Sequence, residues 1–92
     1  MIKVNEYLGG KVKSLGAESE EGRFTAGVML PGEYTFNTEQ EEHITVTLGA
    51  MTIRLPQKEW KKISKGEDIV VPTGVTFDLR IDQTVSYICF YR

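Results

Sequence analysis

Cysteine and histidine occur once each in the 92 residues, as Cys89 and His43. A lone cysteine excludes an intrachain disulfide and a multi-thiolate metal site, and it suits a reducing compartment. A lone histidine excludes a histidine-rich zinc site built within one chain. A basic excess is missing too: 11 Lys and Arg against 13 Asp and Glu leave a net charge of -2. Long nucleic acids demand clustered cations to neutralise phosphates, so no polymeric nucleic acid is expected as a partner. No apolar run approaches the roughly 18 residues of a membrane span. The stretch MIKVNEYLGG lacks the positive, apolar and small-residue zones of a secretion signal. The expectation is a cytoplasmic protein with no membrane partner.

What is present is β-structure. The 40% apolar and 26% charged composition fits one soluble domain over residues 1–92, with no room for a second core. Almost every segment alternates or is rich in β-branched residues, and no window sustains a helical period. Strands are expected at 11–16, 24–30, 33–38, 43–48, 50–55, 59–63, 68–72, 76–82 and 85–91. Pro31 and Gly32 fit the central positions of a type II turn. Gly49, Gly66 and Gly74 mark further turns, and SLGAESEEG at 14–22 is polar enough for a mobile loop. Nine short strands in so small a chain need closure or a two-sheet sandwich to hide their edges, so the fold class is all-β, a small barrel or jelly roll. A monomer of this length buries roughly 65% of its unfolded surface, a thin core, and pairing into a homodimer is therefore expected. Cys89, inside VSYICFYR, reads as a buried structural thiol. His43 reads as a solvated histidine after an acidic run.

Two spacings resemble the signatures of the cupin barrels. Gly66, Pro72, Gly74 and Phe77 follow the second signature, which ends in a metal-binding histidine, here replaced by Phe77. Glu42, followed by six residues and Gly49, follows the first. The histidines expected before that glutamate fall near Phe36 and Thr38, neither a nitrogen ligand. A lone carboxylate does not hold a transition metal, so no metal is expected.

The whole chain resembles a narrower group, the short bacterial pyrimidine/purine nucleoside phosphorylases, single-domain cupins of about this size. The resemblance rests on NEYLGGKVKS at 5–14, GVMLPGEYTFNT at 27–38, TVTLGAMTIRLP at 45–56, Trp60, the pair Val71 and Pro72, Phe77, and YICFY at 87–91. His43 and Arg54 depart from it, outside the best-matched motifs. It implies phosphorolysis of purine and pyrimidine nucleosides to free base and ribose 1-phosphate. Inorganic phosphate would be the co-substrate and no other cofactor would be needed. The alternative is a metal-free cupin that binds a small metabolite without catalysis.

Strand alternation, run from the cupin anchor positions, assigns faces. Tyr34 shares the inward face of Phe36 and Thr38, while Phe77, Leu79 and Ile81 point in and Arg80 out. Met51, Ile53 and Leu55 are inward, with Arg54 outward. In the last strand Tyr87, Cys89 and Tyr91 share one face and Ile88 and Phe90 the other, and alternation does not say which is inward. The expected cavity is aromatic and lightly polar. Phe36 and Phe77 would stack on a base of any kind or, alternatively, only fill the barrel core. Glu42 would accept ribose hydroxyls and favour a cationic sugar, unless it belongs to the solvated acidic run EQEE. Tyr34 or Tyr91 would donate to the departing base, and Thr38 would line the substrate site. Phosphate needs an arginine fork or a row of amides, and Arg23, at a loop-to-strand junction, is the candidate.

Overall fold

The computed structural model describes residues 1–92 as ten strands. They are β1 (Lys3–Tyr7), β2 (Val12–Ser19), β3 (Gly22–Met29), β4 (Gly32–Asn37), β5 (Glu42–Leu48), β6 (Ala50–Arg54), β7 (Lys61–Ser64), β8 (Asp68–Val71), β9 (Thr76–Ile81) and β10 (Val85–Tyr91). Every pairing is antiparallel. One sheet has the order β1-β2-β3-β10-β5-β8 and the other β4-β9-β6-β7. The two stack as a jelly roll around a single apolar core, as expected for short alternating strands that each have one greasy face. The only helical element is a 3-10 turn, Leu8–Gly10, and no helix is long and apolar enough to cross a membrane.

Alternation places the core correctly. Phe77, Leu79 and Ile81 are buried while Arg80 is exposed. Met51 and Ile53 are buried with Leu55 packed against them, and Arg54 is exposed. The last strand resolves the open parity: Tyr87 and Cys89 are buried, Tyr91 lies half-buried on the same side, and Ile88 and Phe90 face outward.

Four local expectations are corrected. Residues 14–22 are no loop: β2 runs through Ser19 and meets Gly22 across a turn of only Glu20 and Glu21. The Ser19 hydroxyl holds that turn, donating to the Gly22 carbonyl and accepting from the Glu21 amide. β1 is a strand that periodicity did not reveal. The corner at Pro31 is not a type II turn, because Gly32 has φ 158°, far from the +80° such a turn requires, and already begins β4. Trp60 precedes β7 instead of lying in it, and its ring is stacked by the guanidinium groups of Arg54 at 4.7 Å and Arg80 at 4.1 Å.

Candidate functional site

Between the sheets lies a cavity of about 800 Å³, large enough for a small-molecule guest. Its two walls come from different sheets. The six-stranded sheet turns Asn5, Ser14, Thr25, Glu42, Tyr87, Cys89 and Tyr91 toward it, because these positions share parity along β1, β2, β3, β5 and β10. The four-stranded sheet supplies Phe36, Phe77, Leu79 and Met51.

The polar wall is a set of short local pairings. Asn5 donates from Nδ2 to Ser14 Oγ at 3.2 Å, and the hydroxyls of Thr25 and Tyr91 lie 3.1 Å apart. The Cys89 thiol donates to Glu42 Oε1 at 3.6 Å. Arg23 sits over the Tyr91 ring at 4.4 Å and hydrogen-bonds the side-chain oxygen of Gln40. Residue 23 has the parity of Thr25 and Gly27, so its inward lean follows from the strand itself.

Burial dominates the electrostatics here. It raises the Glu42 carboxyl above the usual carboxylate range, partly opposed by the thiol hydrogen bond. Burial, followed by the charge of Glu42, pushes the Cys89 thiol up to about 12, which makes it a poor nucleophile. Burial likewise pushes Tyr91 up to about 12, against the Thr25 hydrogen bond.

The apolar wall is an aromatic cluster. Phe36 meets Tyr7 edge-on, with centroids 5.8 Å apart and planes at 80°, and tilts against Phe77 at 6.1 Å. Phe77 is 3% exposed while Phe36 is only half-buried, so Phe36 presents more surface to a guest.

Of the residues singled out from the sequence, Arg23, Phe36, Glu42, Phe77 and Tyr91 line this one cavity. Tyr34 and Thr38 do not. The Tyr34 hydroxyl donates to the Leu30 carbonyl at 2.5 Å and closes the corner between β3 and β4. Thr38 Oγ1 donates to the Pro72 carbonyl at 2.6 Å and accepts from the Val75 amide at 3.0 Å, pinning the turn before β9. Both are committed to backbone and leave the site. Asn5, Ser14, Thr25 and Tyr87 were missed. For Ser14 and Thr25 the signal was parity: Ser14 shares it with Val12, and Thr25 with Gly27 and Met29, but Ser14 fell where the expected strand 11–16 and the expected loop 14–22 overlap.

No three His, Cys, Asp or Glu side chains cluster closely enough to hold a metal ion. Beside the carboxylate of Glu42 the cavity wall carries Phe36 and Phe77, which offer no ligand atom, so the residues do not fit a metal.

A two-sheet antiparallel barrel with an aromatic and carboxylate-bearing hollow is a cupin-like protein. The solved structures agree. A protein of unknown function from Vibrio parahaemolyticus superposes with a TM-score of 0.96 at 39% identity, over 100% of this chain and 99% of that one. Another from Acinetobacter sp. ADP1 gives 0.91 at 27%, over 100% and 91%. The EutQ protein of Clostridium difficile, at 17% identity over 85% and 64%, shares the fold with a TM-score of 0.74. Residues 2–91 match the family model of the pyrimidine/purine nucleoside phosphorylases. Relatives bearing that name are 45% identical in Magnetococcus marinus, over 99% of both chains, and 44% identical in Pseudomonas entomophila, over 100% and 99%. The chain belongs to this family.

Proposed function

We propose that the cavity binds a purine or pyrimidine nucleoside with inorganic phosphate and exchanges base for phosphate at the anomeric carbon. The observation that supports this most is the convergence of one desolvated carboxylate, one arginine and an aromatic wall in a single hollow. Phosphorolysis passes through a sugar bearing positive charge, as glycoside hydrolysis does. Glu42 accepts the ribose hydroxyls and stabilises that charge, more strongly because burial partly withdraws it from water. Arg23 faces phosphate from the cavity's exposed rim, its guanidinium steadied over Tyr91. Phe36, backed by Phe77, stacks on the base and tolerates many bases, since each has a π-face. A phosphate oxygen bonds to C1′ as the C1′–N bond breaks, the electron pair leaves with the base, and the proton of hydrogen phosphate ends on the base nitrogen.

The test is incubation of purified protein with uridine or adenosine, with and without phosphate. Base release that depends on phosphate is expected. Tight nucleoside binding without consumption over hours would replace the enzyme reading by that of a small-molecule binding protein.

The functional unit in this reading is a homodimer. Val4, Leu15 and Val28, all exposed, share the outer face of the six-stranded sheet with Ala26 and Ile88, an apolar surface suited to a second copy. Sedimentation should show a dimer that Leu15→Lys converts to monomer; a monomeric parent chain would refute the pairing.

A further inference from the structure

Among the buried residues of the polar wall, Tyr87 carries a hydroxyl that nothing in the chain engages. Asn5 is bonded to Ser14, Thr25 to Tyr91 and Cys89 to Glu42. Tyr87, in β10 at the centre of the six-stranded sheet, is 9% exposed and lines the cavity, yet no side chain or backbone group hydrogen-bonds its hydroxyl. No fully buried polar side-chain atom is left without a partner, so this hydroxyl keeps its opening to the cavity. Its partner is therefore water or a guest in the cavity.

The backbone opposite is shaped to seat this ring. Gly27 pairs with Tyr87 across β3 and β10, and a Cβ there would lie 2.5 Å from the phenol Cζ, an overlap no side chain sustains. β3 therefore gives up a side chain at the point where Tyr87 lies, which fixes where the hydroxyl can go. Stacking on Phe36 does not by itself orient a base, because rings slide and flip on one another at small cost. A fixed donor does.

Purines and pyrimidines differ over most of their edges but agree at one place. Each carries an acceptor next to the nitrogen that joins the sugar, O2 in a pyrimidine and N3 in a purine; these are the acceptors that A and T share in the minor groove of DNA. We propose that Tyr87 is the specificity-determining residue of the nucleoside site, donating to this shared acceptor and so admitting both base classes in one orientation. The assignment rests on reading the cavity as a nucleoside site. As the C1′–N bond breaks, negative charge spreads onto the same acceptor and the hydrogen bond strengthens, while the proton stays on the tyrosine. Burial, followed by the charges of Tyr91, Cys89, Tyr7 and Glu42, holds the phenol above its ordinary pKa, so it remains a donor through neutral and mildly alkaline solution.

Calorimetric titration with adenosine and with 3-deazaadenosine, whose N3 is replaced by C–H, tests this directly. The parent protein should bind the deaza compound about tenfold more weakly, the worth of one hydrogen bond. Tyr87→Phe keeps the ring and should bind both compounds alike. Gly27→Ala displaces the ring without removing the hydroxyl and should also lose the discrimination. A Tyr87→Phe protein that still discriminates tenfold, or a parent that never does, overturns the assignment. Discrimination that disappears in Tyr87→Phe while neither nucleoside is consumed with phosphate leaves the donor role standing and removes only the phosphorylase reading. Absence of adenosine binding removes both.

Discussion

The cavity's two walls obey different rules although they enclose the same space. On the six-stranded side, Asn5, Ser14, Thr25, Glu42 and Tyr87 bring polar atoms into a region of low dielectric, and all but Tyr87 have a partner in the chain. On the four-stranded side, Phe36, Phe77, Leu79 and Met51 continue the core without a break. A polar wall of this kind is costly to build, since each group loses water on folding. It gains nothing from packing that leucine or valine would not provide. The apolar wall is the reverse: its residues hold the sheets together first and offer a surface to a guest second. Substitutions on the two sides should therefore separate function from stability.

The widest separation is expected at Glu42. Glu42→Gln should lower phosphate-dependent base release on the order of 10²–10³-fold, the range found when one preorganised electrostatic group is lost. Stability should move the other way. Because burial raises the folded carboxyl's pKa above its unfolded value, ionisation opposes folding as pH climbs through that pKa. The glutamine protein should match the parent below pH 4, where both states are protonated, and melt higher than the parent at neutral pH. A neutral-pH melting temperature that falls along with activity would place Glu42 in the structural scaffold.

Phe77→Ala should do the opposite. Removing a ring that is 3% exposed should cost about 3–5 kcal/mol in urea unfolding, the usual toll of a phenylalanine cavity. If the protein instead stays within 1 kcal/mol of the parent while nucleoside affinity collapses, the apolar wall belongs to the site and not to the core. The smallest effect is expected outside both walls. Arg54→Ala removes the 2.9 Å ion pair with Asp78 on the outer face of the four-stranded sheet, where both partners are solvated. It should leave turnover unchanged and barely move the urea midpoint.

How much of this was legible in the sequence depends on which surface a strand presents. TFDLRI and AMTIR alternate cleanly because one side meets core and the other water, so β9 and β6 and their buried residues could be read directly. β1 could not: it lies at a sheet edge with exposed or half-exposed residues throughout, and no burial period exists to detect. Residues 17–19 were read only as loop, and 14–16 as both strand and loop, for a related reason. Ser14 faces a cavity rather than packed side chains, so its inward position carries a polar residue and the apolar half of the alternation vanishes. VSYICFY is apolar on both faces, and only its pairing of Tyr87 with Gly27 and Cys89 with Thr25 shows that the tyrosines and the thiol look inward. Tyr34 failed as a site residue although its inward parity was right, because parity gives a side and not a destination. Its ring folds back over Gly32 toward the Leu30 carbonyl.

The strand order carries a further consequence for how the molecule is made. β10 sits between β3 and β5, so residues 85–91 are inserted between two segments synthesised long before them. Until that insertion, β1 to β3 and β5 with β8 are separate ribbons with raw edges, and neither half of the larger sheet has its neighbour. Folding must therefore wait for these residues to clear the ribosome, and a nascent chain halted at Gln83 should stay protease-sensitive while one extended past Arg92 snaps shut.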